Sequence, residues 1–148
     1  MSTPKTLWKP PDLGQVKINV DAFAQISRSF IGISLVAKDA NGVVVGAACR
    51  MAGCFSPFLG ECMAVREGVW YALSKGYSNW IVETDALNVV HAIKNPELQS
   101  LEANVIQDVH NTLELSRGDS VCYGSRFGNS IAHFLVSFSF SSTHSHVW

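Results

Sequence analysis

The feature that most constrains this sequence is an Asn-Gly turn between two runs of apolar, β-branched residues. The runs are Ile31–Lys38 and Val43–Arg50, and residues 39–42 between them read Asp-Ala-Asn-Gly. Asn-Gly between such runs is the strongest short-range signal for a β-hairpin. An earlier run, Val16–Phe23, alternates apolar and polar residues, which is typical of a strand. The first three strands are therefore predicted to form an antiparallel meander, and Gly32 and Gly46 within the strands indicate bulges or close approaches.

A helix is predicted to follow, from Ser56-Pro57 to about Lys75. Serine is a favoured N-cap, proline fits the first helical position, and Gly76 supplies a C-terminal stop. An apolar stripe on this helix runs beside a ridge of small residues, which would let the helix lie close to a sheet. The stripe is Phe58, Cys62, Val65, Val69 and Leu73, and the ridge is Glu61, Ala64, Gly68 and Ala72.

The rest of the chain alternates short strands with helices. Strands are predicted at Asn79–Asp85 and Ser120–Gly124, and helices at Ala86–Lys94, Leu101–Arg117 and from Ser130 to about Phe140. The order βββαβααβα implies an α/β fold with a mixed five-stranded sheet and helices on both faces. In such sheets the chemistry gathers beyond the carboxyl ends of the strands.

Three carboxylates stand where this fold could gather them. Asp21 ends the run Val16–Asp21, Asp85 ends the run Trp80–Asp85, and Glu61 lies in the first turn of the predicted helix. Carboxylates gathered at one point repel one another and must be protonated or bind cations. Mg²⁺, which prefers oxygen ligands, suits them best, and a pair of such ions is a standard device for hydrolysing phosphodiesters. The three residues are therefore the predicted ligands of a two-metal nuclease site.

The composition indicates one domain of ordinary size. The chain has 148 residues, of which 47 % are hydrophobic and 16 % charged, enough to bury a core. We expect an extended lead-in over residues 1–15, the domain over 16–140 and a polar tail over 141–148. No apolar run approaches the roughly 20 residues that span a bilayer, and no secretory signal is visible. The four cysteines form no Cys-x-x-Cys pair, so we expect reduced thiols in an intracellular protein, nuclear or cytoplasmic and not secreted.

The charge balance is unusual for a protein that binds nucleic acid. The formal net charge is −1 and the sequence contains no basic run, although phosphate contacts normally come from Lys and Arg. If the chain binds nucleic acid, the affinity must come from metal bridging, local backbone donors or another domain.

Together, the element order and the carboxylate pattern resemble the ribonuclease H fold, and the match is close to the plant, retroelement-related ribonuclease H-like domains. The resemblance covers about residues 8–140 and depends on the order and spacing of several pieces. The pieces are residues 8–11 (Trp-Lys-Pro-Pro), 16–21 (Val-Lys-Ile-Asn-Val-Asp), 38–42 (Lys-Asp-Ala-Asn-Gly), 60–64 (Gly-Glu-Cys-Met-Ala), 83–85 (Glu-Thr-Asp) and 126–133 (Arg-Phe-Gly-Asn-Ser-Ile-Ala-His).

This resemblance implies an endonuclease that cleaves the RNA strand of an RNA–DNA hybrid with two Mg²⁺ ions, for which Mn²⁺ would substitute. Asp21 would bridge both ions, while Glu61 and Asp85 would each complete a coordination sphere. His133 stands at a last-helix position where the wider family usually has Asp and plant relatives often have His, and it is the fourth candidate catalytic residue. The expected partner is the hybrid, without membrane association, and the isolated domain is expected to be a monomer that could be part of a larger polyprotein.

Three further residues are candidate substrate contacts, each with a structural alternative. Asn19 lies on the same face of the first strand as Asp21. Arg126 could reach a phosphate or be a solvated loop residue, and Asn129 could contact substrate or cap the last helix. Likewise, Asp85 could serve as the N-cap of the helix that follows it, and His133 could be ordinary packing.

Two other functions stay open at this point. One is a catalytically silent ribonuclease H-like module that binds nucleic acid or protein, which the low basicity and His133 favour. The intact carboxylate set opposes it, because a module without catalysis has no need to hold three repelling charges together. The other is the isolated ribonuclease H part of a reverse transcriptase-derived protein.

Overall fold

The computed structural model describes residues 9–25, 29–53, 56–95, 103–116, 121–124 and 146–147. The five predicted strands and the first three predicted helices are confirmed in their predicted order, with ends shifted by a few residues. The strands are β1 (Val16–Gln25), β2 (Phe30–Lys38), β3 (Val44–Gly53), β4 (Trp80–Thr84), β5 (Val121–Tyr123) and β6 (His146–Val147). The helices are α1 (Pro57–Lys75), α2 (Leu87–Lys94) and α3 (Ala103–Ser116). The predicted last helix lies outside the described residues.

The strands form one mixed sheet in the order β5-β4-β1-β2-β3-β6. The predicted meander is confirmed, because β1 pairs antiparallel with β2 and β2 with β3. Strand β4 then pairs parallel with β1 on its other side, and β5 pairs parallel with β4. This arrangement puts β1 at the centre, next to the strand that follows the first helix.

A sixth strand, not expected from the sequence, lies within the segment predicted to be a polar tail. Its two residues, His146–Val147, pair antiparallel with Cys49 and Ala48 of β3. Strand β3 is otherwise the end of the sheet, and the backbone groups of an end strand are open to pairing with a further segment. Two residues are too few to show an alternating pattern, so no periodicity marks this strand in advance.

The β2–β3 connection is a wider loop than the Asn-Gly pair suggests. It spans residues 39–43, and the Asp39 Oδ1 atom accepts hydrogen bonds from the backbone amides of Asn41 at 2.9 Å and Val43 at 3.0 Å. Gly42 has a φ of 76°, whereas Asn41 is not among the described residues with positive φ. A tight type I′ turn needs positive φ at both central residues. The carboxylate of Asp39 organises this loop, and the hairpin itself is as predicted.

Of the two strand glycines singled out from the sequence, Gly46 marks both a bulge and a close approach, as predicted, whereas Gly32 pairs in regular register with Phe23 and Met51 and marks no bulge. The β2–β3 register moves from the pair Ala37–Gly46 to the pair Lys38–Val44, which leaves Val45 as an extra residue. A Cβ atom on Gly46 would overlap the hydroxyl of Tyr71 in α1. A side chain at this position is therefore excluded by the helix that lies above it.

Helix α1 begins and ends at the predicted residues. The Ser56 side chain accepts a hydrogen bond from the Leu59 amide at 3.2 Å, and Gly76 ends the helix with a left-handed φ of 71°. The helix lies on the sheet along its small-residue ridge, where Ala64 and Ala72 are fully buried. The far end of the predicted apolar stripe reaches the surface, since Leu73 is 44 % exposed.

The core lies between α1 and the sheet, with α3 packed against α1 and α2. Register places Asn19, Val36 and Ala47 in one row across the opposite face of the sheet, and all three are buried. That face is therefore buried too, whereas among the described helices α1 lies on the other face and α2 and α3 pack with it. Within the described part of the chain, no helix is long and apolar enough to cross a membrane.

Candidate metal-binding active site

The parallel pairing of β1 with β4 brings Asp21 and Asp85 together. The register runs from Val16 opposite Trp80 to Asn19 opposite Glu83, where the pairing of the two strands ends. Asp21 and Asp85 each stand two residues beyond that last pair. Asp21 is not at the end of its strand, however, because β1 continues to Gln25 through its pairing with β2.

Helix α1 supplies the third carboxylate because it approaches the sheet closely. A Cβ atom on Gly68 would come within 2.7 Å of Cγ1 of Val20 and 3.1 Å of Cγ1 of Val82. No side chain at position 68 therefore fits between the helix and strands β1 and β4. Glu61 lies two turns before Gly68 on the same helix, since seven residues make about two turns. It is in the second turn of α1, not the first as predicted, so no charge in the first turn interacts with the helix dipole.

The three carboxylates converge as predicted. One ligand oxygen from each of Asp21, Glu61 and Asp85 can be chosen so that all three lie within 4.8 Å of one another. Asp21 is buried, with 4 % of its surface exposed, and the other two are half-buried. At an effective dielectric constant of about 20, two unit charges this far apart repel by roughly 3 kcal/mol. The arrangement therefore favours a cation at this point.

The donor set fits a hard divalent ion. All three groups are carboxylates, the ligand type that Mg²⁺ prefers, and the described cluster contains no sulfur or imidazole donor. Oxygens bound to one Mg²⁺ at about 2.1 Å lie at most about 4 Å apart. The observed spacing of up to 4.8 Å needs only a small rotation of the side chains to reach that value.

Asp85 is not the cap of the helix that follows it. The N-cap of α2 is Ala86, and no side chain makes a capping hydrogen bond there. The Ala86 amide instead donates to the Thr84 Oγ1 atom at 3.1 Å. The alternative that explained Asp85 as a helix cap is therefore wrong, and its carboxylate is directed to the cluster.

Asn19 is buried and belongs to a polar network that sequence reasoning missed. Its Nδ2 atom donates to Glu83 Oε1 at 3.0 Å, and Lys17 Nζ lies 3.0 Å from Glu83 Oε2. Lys17 also donates to the Lys9 carbonyl at 2.8 Å. The spacing held a signal, because Asn19-x-Asp21 in β1 matches Glu83-x-Asp85, which begins in β4 and ends one residue beyond it. The role of Asn19 as a substrate contact stays a prediction, with this network as its observed surroundings.

The remaining candidate residues are Arg126, Asn129 and His133. All three lie outside the described residues. Their assignments to substrate contact and to the catalytic set therefore stay predictions from the sequence.

The comparisons with known proteins agree with the fold. The sequence profile described as reverse transcriptase-like matches residues 19–139. Among curated proteins, no match to this sequence was found. The structure is similar to ribonuclease H1 from the halophilic archaeon Halobacterium salinarum, with a TM-score of 0.70 at 13 % identity, covering 86 % of this chain and 98 % of the other.

Two further similar structures contain an RNA/DNA hybrid. One is the compost metagenome protein LC11-RNase H1, with a TM-score of 0.73 at 15 % identity, covering 83 % of this chain and 94 % of the other. The other is a foamy viral protease-reverse transcriptase, with a TM-score of 0.70 at 16 % identity, covering 97 % of this chain but 22 % of the viral one. At these identities the likeness shows the fold. With the profile match over most of its length, the chain belongs to the reverse transcriptase-like family and is a ribonuclease H-like domain.

Proposed function

We propose that this chain is a divalent-metal-dependent endonuclease that hydrolyses the RNA strand of RNA–DNA hybrids. The observation that carries the proposal is the convergence of Asp21, Glu61 and Asp85 within 4.8 Å. Holding three like charges together costs stability, and a bound cation offsets that cost. The choice of a hybrid as substrate is supported by the similar LC11-RNase H1 structure, which was solved with one.

Two Mg²⁺ ions are the proposed cofactors, and Mn²⁺ should substitute for them. When bound, they would supply the Lewis acidity that phosphodiester hydrolysis requires. Asp21 is the proposed shared ligand, because it is the most buried of the three. Glu61 on the helix and Asp85 beyond β4 would each hold one ion.

The substrate would be recognised by groups around this cluster. The ribose 2′-hydroxyl is the feature that distinguishes an RNA strand from a DNA strand, so the cluster must face the RNA backbone. Arg126 and Asn129 are the proposed contacts to the hybrid. His133 is proposed to tune metal affinity or product release, since the three carboxylates supply the essential charge.

A second candidate function is a catalytically silent module that binds nucleic acid or protein. The observation that favours it is the formal net charge of −1, with 11 Lys and Arg residues against 12 Asp and Glu residues. A surface without excess positive charge gains little from phosphate contacts. A parent reverse transcriptase would supply that charge elsewhere, which suits the foamy viral match over 22 % of the viral chain.

One cleavage assay separates these functions. Labelled RNA–DNA hybrid, duplex RNA and duplex DNA are incubated with the protein in Mg²⁺, in Mn²⁺ and in EDTA. We expect cleavage of the RNA strand in the hybrid alone, lost in EDTA and in the Asp21→Asn variant. Binding of hybrid without cleavage in either metal would favour the silent module. Cleavage by Asp21→Asn at the native rate would refute the proposed site.

A further inference from the structure

The last paired residues of β1 and β4 are joined by side chains as well as by backbone. Asn19 donates to Glu83 Oε1 at 3.0 Å, and Lys17 reaches Glu83 Oε2 at 3.0 Å. We call these three residues the β1–β4 clamp. All of them are buried, with 8 %, 4 % and 8 % of their surfaces exposed for Lys17, Asn19 and Glu83.

The clamp stands where the two strands would otherwise separate. The β1–β4 register ends at the pair Asn19–Glu83, and the facing aspartates follow two residues later. Beyond that pair the two strands are no longer paired, while the repulsion between Asp21 and Asp85 acts to spread them. The clamp therefore holds the strands at the point where this repulsion acts on them.

Gly124 makes room for the clamp. A Cβ atom at this position would overlap the carboxyl group of Glu83, and the Gly124 amide donates to the Thr84 carbonyl at 2.8 Å. The Glu83 carboxylate is thus fixed on one side by the β1 side chains and on the other by the backbone after β5. Any side chain at position 124 would have to displace it.

We infer that the β1–β4 clamp is a positioning device that sets the separation of Asp21 and Asp85, with Glu83 as its central residue. The inference rests on the proposed function in one respect only, which is that a metal ion binds where the two aspartates meet. Glu83 does not touch the reacting atoms in this scheme. It acts through the strands that carry the two aspartates.

The charges of the clamp also decide which substitutions are informative. Glu83→Gln leaves a buried ammonium without its counter-charge, although Gln can still accept from Asn19. The double variant Lys17→Met/Glu83→Gln removes both charges and keeps the hydrogen bond between the side chains of residues 19 and 83, so it should restore the clamp. Gly124→Ala displaces the Glu83 carboxylate without changing any charge.

A matched control comes from another ion pair between a carboxylate and a strand cation. Glu67 of α1 pairs with Arg50 of β3, which is not one of the two strands joined by the clamp. Glu67→Gln therefore removes one carboxylate in the same way. It should lower stability without changing the spacing of the aspartates.

The first measurement is backbone hydrogen exchange in the metal-free proteins. The Val16 amide donates to the Asn79 carbonyl, so the amides of residues 81 and 83 also face β1. In Glu83→Gln and Gly124→Ala, we expect these two amides to exchange about tenfold faster than in the native protein. Amides of Ile33 and Leu35 in β2 should change no more than they do in Glu67→Gln. The double variant should recover most of the protection. Equal acceleration of the β4 amides and the β2 amides would refute the clamp as a local device.

The second measurement is direct Mn²⁺ binding by calorimetry on the same folded proteins. We expect Glu83→Gln and Gly124→Ala to bind Mn²⁺ roughly tenfold more weakly, as is typical when groups behind the metal ligands are lost, and Glu67→Gln to match the native protein. Unchanged Mn²⁺ affinity in Glu83→Gln, despite faster exchange in β4, would overturn the inference. If the native protein binds no Mn²⁺ while the exchange result holds, the clamp stands and the proposed nuclease function fails.

Discussion

Gly68 of α1 lies directly against Val20 of β1, and a Cβ atom on the glycine would approach Cγ1 of Val20 to 2.7 Å. This contact fixes how close the helix comes to the central strand. Val20 is next to Asp21 in sequence, and Glu61 is two turns along the helix from Gly68. The distance between two of the three site carboxylates is therefore set by a contact between two apolar positions.

Gly68→Ala should weaken both the fold and the metal site. Alanine in a helix interior gains roughly 0.5–1 kcal/mol over glycine, but overpacking a buried contact costs about 1–3 kcal/mol. We expect overpacking to prevail, with a net loss of about 1 kcal/mol in the free energy of unfolding, measured by urea denaturation. Mg²⁺ affinity should fall as the helix moves outward. Gly53→Ala is the control, because no atom lies within 4 Å of a Cβ there.

Asp21→Asn should separate catalysis from stability. The amide keeps the shape of the carboxylate and removes the charge that holds the cation, so hybrid cleavage should fall more than about a hundredfold. Relief of repulsion should raise the metal-free free energy of unfolding by about 1 kcal/mol. Thermal melts with and without Mg²⁺ provide the check, because the native protein should gain stability from the ion and the variant should gain much less. A variant as stable as the native protein but fully active would contradict the assignment.

The parts of the structure that could be predicted from sequence are those fixed by neighbouring residues or by the order of the elements along the chain. Ser56, Pro57 and Gly76 act within one helical turn of where they stand, so the ends of α1 follow from local chemistry. The convergence of the carboxylates was also predictable, because strand order and the small-residue ridge imply it. Neither required knowledge of side-chain geometry.

The parts that could not be predicted depend on contacts across the sheet. Asn19 and Glu83 are 64 residues apart, and their hydrogen bond exists only because the parallel register places them opposite each other. A shift of that register by one residue would turn one of the two side chains to the other face. The loop at residues 39–43 is one residue longer than the predicted connection, and the Asp39 side chain adds two hydrogen bonds to the backbone bond between the Gly42 amide and the Asp39 carbonyl.

Tyr71 should make the protein sensitive to alkaline pH. Burial raises the pKa of its hydroxyl to about 12, with a further contribution from neighbouring Tyr77, against about 10 in the unfolded chain. Its stabilising effect is complete below pH 10 and is lost as the pH rises through 12. Tyr71→Phe removes this titration, so its unfolding free energy should fall less between pH 10 and 12.

The same substitution should be tolerated at neutral pH. The Tyr71 hydroxyl makes no hydrogen bond of good geometry within the described residues, and its interaction with the Tyr77 side chain leaves it poorly satisfied. A buried unsatisfied group costs about 1–3 kcal/mol. Phenylalanine removes that cost and keeps the ring. Urea denaturation at pH 7 should show equal or higher stability, and a loss above 1 kcal/mol would show that the hydroxyl has a partner elsewhere in the chain.

Cys122 should react slowly with alkylating reagents, and Glu83→Gln should accelerate it. Burial raises the pKa of the thiol, and the nearby Glu83 carboxylate raises it further, with the sulfur 4.0 Å from Glu83 Oε2. The thiolate is the reactive form, so a raised pKa lowers the rate at pH 8. Removing the carboxylate charge should lower the pKa and raise the rate several-fold, and Glu67→Gln should have no effect.

Iodoacetamide labelling at Cys122, followed by mass spectrometry from pH 7 to pH 10, measures the rate, with the urea-unfolded protein as reference. Labelling of native Cys122 as fast as in the unfolded chain would show that the thiol is neither buried nor next to a negative charge.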